Sequence, residues 1–426
     1  MDLTPSWVTG ANAPGCGFPL DNLPCAVAVI GGRAEPVMGL GDRLIRLRVL
    51  DEAGLLPPSL AGRFDAPVWN RVMAAGPAAW QALRDRLVTL FAESGDEDLR
   101  GRPELAEAAL IPMAGVGFAL PVAVAEFTDF YAGRHHAMNV GTMLRGTNAA
   151  LPPQWDWMPI GYNGRASSVV VSGTPICRPR GQILPEGAEA PILAPSRRVD
   201  FELELGAVIG QGCEGPVSVA EAEEMIFGYT LLNDWSARDI QAWEYRPLGP
   251  FLSKSTATSI GPWIVMAAAL APFRTAGPEP VHTPLAHLAE PHAMKLDIAL
   301  EAALAPEAGE PTTLTRTNAA ELSWSFPQQI AHHASAGCPL RVGDLIGSGT
   351  ISGAATGSRG SMLELSWGGR KPVRLADGRE RHFLEDGDEV ILTGHARRGT
   401  LTIGFGQCRG RLLPARPERD ATSRTG

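Results

Sequence analysis

The chain has 426 residues, 45 % of them hydrophobic, with 37 basic against 46 acidic side chains and a formal net charge of -9. That length accommodates two domains, and that apolar content builds a substantial core. An acidic chain in which no stretch is dominated by Lys or Arg is not a general binder of nucleic acid or anionic membrane, and Arg397 with Arg398 reads as a short loop pair only.

The first residues, Met1 to Trp7, lack the basic start and apolar run of a secretory signal. Farther along, the most apolar window, Ile260 to Leu270, is too short to span a bilayer. Cys16, Cys25, Cys177, Cys213, Cys338 and Cys408 are scattered without Cys-x-x-Cys spacing, which suits reduced thiols and a cytoplasmic protein. In the first third the clearest element is a helix from Pro77 to Ser94. Proline suits its first turn, Trp80, Leu83, Leu87, Leu90 and Phe91 recur at helical spacing, and Gly95 suits the cap beyond. The uncharged run Pro112 to Pro121, rich in glycine and proline, reads as a buried connector between domains.

Beyond Pro121 the pattern changes to short β-rich runs: Ser168 to Ser172, Arg198 to Ile209, Met362 to Trp367 and Glu389 to Leu392. Asp377-Gly378 and Asp386-Gly387 punctuate the end as hairpin turns would. Helices are expected at Val219 to Phe227 and Ser325 to Ser335. The reading is a mainly β (α+β) protein with an N-terminal domain at 1–118, a C-terminal domain at 119–416 and a disordered tail at 417–426.

Three acidic segments carry the chemistry: Asp129 in Phe127-Thr-Asp-Phe-Tyr131, Glu202 with Glu204 in Asp200-Phe-Glu-Leu-Glu-Leu205, and Asp234 in Asn233-Asp-Trp-Ser-Ala-Arg238. Each carboxylate sits in apolar or aromatic sequence, where an unpaired buried charge is costly. Between Asp200 and Ile209 the acids alternate with Phe201, Leu203 and Leu205, so both glutamates project from one strand face. A shared hard divalent ion with oxygen ligands removes their mutual repulsion.

Tyr131, His135, His136 and Arg145 follow Asp129 within seventeen residues and supply a phenol, a base and an anion clamp. If the Asn233 segment forms a helical turn, Asp234, Arg238 and Gln241 share one face. Lys254 follows a Gly-Pro turn in an apolar setting. His332-His333 sits near a helix end, where imidazoles meet exposed carbonyls, and carries no assigned chemistry. Gly347-Ser-Gly-Thr-Ile-Ser-Gly353 matches neither nucleotide-binding glycine pattern and reads as a turn bringing Thr350 close to a ligand. Glu364, in an apolar strand, needs a partner when buried, and a histidine would serve. No Gly-x-Ser-x-Gly elbow occurs, which disfavours a serine hydrolase.

Together with Leu20-Asp-Asn-Leu-Pro24, Asn139-Val-Gly141, Gly161 to Pro175, Trp243-Glu-Tyr245, Pro247-Leu-Gly-Pro-Phe251, Gly360 to Trp367 and Gly404 to Cys408, these segments closely resemble the fumarylacetoacetate hydrolase family over nearly the whole chain. The resemblance implies an N-terminal SH3-like β-barrel with helices, a C-terminal mixed β-sandwich roll, a homodimer, and hydrolysis of 4-fumarylacetoacetate to fumarate and acetoacetate at the end of tyrosine breakdown. It implies Asp129, Glu202, Glu204 and Asp234 as ligands of Mg2+ or Ca2+, with Lys254 and Thr258 as further metal-site contacts. His136 falls on the general base and Glu364 on its carboxylate partner. Arg238, Gln241 and Lys254 fall around the oxyanion, and Tyr131, Arg145, Tyr162, Arg238, Gln241, Tyr245 and Thr350 on the substrate. His135 stands where glutamine is common, and Asn163 where histidine is common. Two other readings compete: an acylpyruvate hydrolase or oxaloacetate decarboxylase on the same scaffold, and a non-catalytic metal-stabilised binding protein. The segment from Trp243 to Phe251 argues against the first, and His136 with Glu364 against the second.

Overall fold

A computed structural model describes residues 2–417; Met1 and residues 418–426, which include all but the first residue of the expected tail, lie outside the described residues. Strands dominate. Five short ones form an N-terminal antiparallel sheet: β1 (Cys25–Ile30), β2 (Arg33–Leu40), β3 (Arg43–Arg46), β4 (Leu110–Pro112) and β5 (Gly117–Ala119), in the order β4-β3-β2-β1-β5. The run from Pro112 to Pro121 is therefore not a buried connector. It runs from the last residue of one edge strand, Pro112 of β4, through the whole of the other, β5, and several of its residues are exposed. In a flat five-stranded sheet those edges would lie about 19 Å apart. Pro112 and Gly117 are separated by only five residue steps, about 17 Å when fully stretched, so the sheet curls.

The helix Pro77–Phe91 packs Trp80, Leu83, Leu87, Leu90 and Phe91 into the same core, with Pro77 in its first turn. It stops at Phe91, short of the expected Ser94, because the N-terminal segment takes its last carbonyls. Ser6 Oγ donates to the Phe91 carbonyl at 2.7 Å and Trp7 Nε1 to that of Leu90 at 2.8 Å. The cap falls on extended Ala92, not on Gly95.

The larger unit holds two facing sheets. An eight-stranded sheet contains β7 (Gly161–Asn163), β6 (Phe127–Phe130), then Leu345–Gly347, Leu203–Ile209, Ile226–Asp234, Thr258–Ile260 and β8 (Val169–Val171), with Val265–Met266 pairing beside Ile226–Asp234. The second sheet runs Thr312–Asn318, Ala299–Ala305, Glu389–Arg398, Leu401–Leu413, Ile176–Cys177. Leu203, Leu205, Leu231, Leu300, Leu392 and Phe405 fill the space between the sheets. The opposite face of the eight-stranded sheet meets the N-terminal unit through Phe127, Val208, Leu232, Ile260 and Leu345, which share one cluster with Trp69, Trp80 and Leu87.

Helices form at Val219–Met225 and Phe326–Ala334, each opened by a serine capping box, at Ser218 and Ser325. Several strand expectations change. Arg198–Ile209 breaks after Asp200: Val199–Asp200 pairs with Ser236–Ala237, and the Glu202 amide turns to the Asn233 side chain at 3.1 Å. Met362–Leu365 is a helical turn, because the Asp200 carboxylate accepts the amides of Met362 and Leu363 and Ser361 caps the turn at Glu364. The loop at Asp377-Gly378 does join a hairpin, Val373–Arg374 with Glu380–Arg381, whereas Asp386-Gly387 is a turn between strands that do not pair. Arg397 and Arg398 end a strand.

Candidate active site

Along three of the strands the site lies two residues from the apolar contact with the N-terminal unit, and along Leu203–Ile209 it lies four. Asp129 follows Phe127 on β6, Asp234 follows Leu232, Thr258 precedes Ile260, and Glu204 lies beyond Val208 and Gly206. Registry aligns them: Asp129 opposes Gly347, Gly347 opposes Gly206, Glu204 opposes Leu232, and Asp234 opposes Thr258. The period of two puts them on one face. A side chain at Gly347 would overlap Oδ1 of Asp129, so glycine there makes room for the carboxylate.

Asp129, Glu202, Glu204 and Asp234 are all buried, and each offers a carboxylate oxygen within 4.8 Å of the others. Lys254 Nζ lies against Glu202 and donates to Asp234 Oδ2 at 2.8 Å; Arg238 Nη2 donates to Glu202 Oε1 at 2.7 Å. Tyr162 donates its hydroxyl to the same Asp234 oxygen at 2.7 Å. By contrast, both oxygens of Glu204 and Oδ1 of Asp234 lack a protein partner, and Asp129 Oδ1 receives only the Gly349 amide at 3.1 Å. The salt bridges among the described residues give Glu202 and Asp234 a basic partner and give Asp129 and Glu204 none. Burial and carboxylate neighbours hold the Asp129 and Glu204 acids well above their ordinary range. For Glu202 burial pushes the same way, but Lys254, Arg238 and His136 outweigh it and hold the group below its ordinary range. Orphaned, converging, buried carboxylate oxygens are the donor set a hard divalent cation takes, and the four acids fit one.

His136 is held beside the cluster by the helix Arg134–Arg145. Its Nδ1 lies 2.6 Å from Glu364 Oε2, leaving Nε2 toward Glu202, whose Oε1 is 3.7 Å away. Glu364 also accepts from Asn139 at 2.8 Å and from Ser352 and Ser361 at 2.9 Å. Burial would protonate it, but His136 and these donors prevail and hold its acid below the ordinary range. An ionised Glu364 keeps the proton on Nδ1 and the lone pair on Nε2. The Tyr131 ring packs edge-on to His136, with centroids 5.4 Å apart. His135 points elsewhere, half-exposed and 3.6 Å from Glu321, so geometry separates the two adjacent histidines.

Asp234 ends a strand and does not share a helix with Arg238, whereas Arg238 and Gln241 do lie on one helix, Arg238–Glu244, joined at 3.0 Å. Thr258 and Thr350 are buried with unpartnered hydroxyls. Arg145 is turned back onto the carbonyls of Ala149 and Ala150, and Tyr245 is half-buried under the Arg246 guanidinium. His333 bonds Thr128 from the back of β6. A cavity of about 840 Å³ opens beside Tyr162, between Asn163, Glu244, Phe251 and His333.

Apart from His136, sequence reasoning gave no role to the groups that hold Glu364. Asn139 could have been found, since it lies three residues after His136 on one helix face. Ser352 and Ser361 carry no comparable signal.

A family model described as "Fumarylacetoacetate (FAA) hydrolase C-terminal" matches residues 126–413, and one described as "Fumarylacetoacetase N-terminal" matches residues 21–121. The chain is similar to the fumarylacetoacetase of Bos taurus, 45 % identical over 406 residues that cover 93 % of this chain and 96 % of that one. It is 43 % identical to that of Oryza sativa subsp. japonica over 417 residues (95 % and 96 % covered) and 44 % to that of Homo sapiens over 405 (93 % and 96 %). Among solved structures, the fumarylacetoacetate hydrolase from psychrophilic Exiguobacterium antarcticum superposes with a TM-score of 0.54 at 16 % identity, covering 92 % of this chain and all of that one. That last likeness speaks to the fold alone.

Proposed function

The chain belongs to the fumarylacetoacetate hydrolase family and hydrolyses the carbon–carbon bond of 4-fumarylacetoacetate to fumarate and acetoacetate, the last step of tyrosine and phenylalanine breakdown, and we propose that it does so with the carboxylate cluster and the His136–Glu364 pair. The observation that carries this assignment of roles is the 2.6 Å contact of Glu364 with Nδ1 of His136, beside four buried acids.

Hydrolytic cleavage of a carbon–carbon bond requires a leaving carbanion, and a 1,3-diketone provides one as an enolate. A divalent ion, Mg2+ or Ca2+, held by Asp129, Glu202, Glu204 and Asp234, with Lys254 and Thr258 beside it, would supply Lewis-acid stabilisation of that enolate. Nε2 of His136 takes the proton of the attacking water, and Glu364 steadies the imidazolium that results. Arg238, Gln241 and Lys254 surround the oxyanion that develops, where a well-placed donor is worth about 3 kcal/mol. The family resemblance puts Tyr131, Arg145, Tyr162, Tyr245 and Thr350 on the substrate, which would require Arg145 to leave the carbonyls of Ala149 and Ala150 that it now bonds.

The test follows the fall in ultraviolet absorbance of fumarylacetoacetate with purified protein, with chelator, and after Mg2+ is restored. Chelator-sensitive loss yielding fumarate and acetoacetate is expected. No loss with folded, metal-loaded protein would turn attention to acylpyruvates.

The curled N-terminal sheet supports an SH3-like barrel at 1–118, with the catalytic unit at 119–416. A homodimer accounts for the apolar groups left on the surface beyond helix Arg238–Glu244, with Leu248 96 % and Phe251 69 % exposed, and light scattering would read the mass. Six unpaired cysteines support a cytoplasmic setting, and no helix among the described residues is long and apolar enough to cross a membrane.

A further inference from the structure

Asp200 is a fully buried carboxylate that touches neither the cluster of four acids nor His136, yet every oxygen it has is engaged. Oδ1 accepts the Met362 amide at 2.6 Å. Oδ2 accepts the Leu363 amide at 3.0 Å and Nε of Arg238 at 2.7 Å. The two amides open the helical turn Met362–Leu365, which carries Glu364 toward His136. The guanidinium continues through Nη2 to Glu202 and through Nη1 to Gln241. One side chain therefore joins the turn behind the base to the cation beside the metal ligands, two parts of the site that are 126 residues apart in sequence (364 − 238).

We propose that Asp200 is a positioning residue of the hydrolase, fixing the distance between the His136–Glu364 pair and the Arg238 guanidinium. A carboxylate is required because three donors converge on two oxygens. A carboxamide of the same shape presents an NH2 to at least one of those donors in either orientation, leaving a donor facing a donor in a dry site. Groups that orient others in this way typically cost 10–100-fold when removed. The inference rests on the hydrolase reading, because the defect it forecasts is in turnover of fumarylacetoacetate.

The test is Asp200→Asn alone, Arg238→Lys alone and the two combined, assayed beside wild type, with Mg2+ affinity and thermal unfolding measured on each. For D200N we expect folded protein, Mg2+ affinity within about threefold of wild type, a KM within about threefold, and kcat lowered about 10–100-fold. Because both changes break the same link, the double variant should fall no more than about threefold below the worse single one. Turnover of D200N within twofold of wild type, or losses that multiply in the double variant, overturns the proposal. If D200N does not fold, Asp200→Ser, which leaves space for water beside Arg238, is measured for the same split. Failure of both to fold also overturns it, since Asp200 would then hold the domain together instead of two catalytic groups. An inactive wild type would take down the hydrolase reading and this inference together, which separates that result from an active wild type with an unaffected D200N.

Discussion

The two halves of one sheet face make opposite use of the same strands. Over one half, Phe127, Val208, Leu232, Ile260 and Leu345 are fully or almost fully buried and meet Trp69, Trp80 and Leu87 of the N-terminal unit. Two residues along, the same face presents Asp129, Asp234, Thr258 and Gly347, with Glu204 in line. The dry half is satisfied by packing alone, since aliphatic and aromatic groups need no partner. The acidic half is just as buried but leaves oxygens of Glu204 and Asp234 unpaired, which an apoprotein tolerates only at a cost. The dry half thus anchors the rigid frame, and the acidic half leaves buried carboxylate oxygens that could take a cation. The N-terminal unit contributes no residue to the acid cluster or to the His136–Glu364 pair; it packs on the strands that carry Asp129, Glu204 and Asp234.

The sharpest break in this picture would come from the rim of the acidic half. His136→Ala should lower kcat about 10³-fold, within the span of general base catalysis, while Mg2+ affinity by calorimetry stays near normal; turnover close to wild type would remove the base from the scheme. Next is Gly347→Ala, whose added methyl displaces Asp129. We expect Mg2+ affinity to fall about tenfold or more with little change in the unfolding temperature of the metal-free protein, and unchanged affinity would mean Asp129 is not held where the register puts it. In the dry half, Leu345→Ala should do the reverse, costing about 2–5 kcal/mol in denaturant unfolding and leaving metal affinity within a few fold. Loss of affinity equal to that of G347A would show the two halves to be one unit.

Only the acidic half carries a pH dependence. The Asp129 and Glu204 acids are raised in the folded protein, mainly by burial, so the fold binds protons that the unfolded chain has released. Their contribution is present below the ordinary carboxylate range and is lost as pH rises above it. Chelated protein should therefore melt at lower temperature at pH 8 than at pH 5.5, and Mg2+ should remove most of that difference; a chelated protein equally stable at both would contradict the burial argument. The smallest effect is expected for His135→Ala, with kcat within twofold of wild type, because its ring faces Glu321. A larger loss would reopen the choice between the adjacent histidines.

The helices at Val219–Met225 and Phe326–Ala334 were legible because their signals are local: a capping serine, Glu221 or Gln328 three residues on, and an apolar face. Each acid of the cluster was legible for the same reason, since Asp129, Glu202, Glu204 and Asp234 interrupt apolar runs. The helical turn at Met362–Leu365 was not. Apolar alternation around Glu364 suggests a strand, and the group that decides against it, the carboxylate of Asp200, arrives from 162 residues away.

By itself, then, the chain determined which residue types lie where along each strand and helix, and with them a buried acidic cluster and a carboxylate, Glu364, in want of a histidine. Tertiary structure alone decided that His135 turns away to Glu321, that Asn139, Ser352 and Ser361 hold Glu364, and that Asp200 serves Arg238 and not the cluster. The reason is physical: a period of two or of 3.6 fixes the face a side chain takes on its own element, whereas a hydrogen bond between distant segments exists only once strand registry has brought its donor and acceptor within 3 Å.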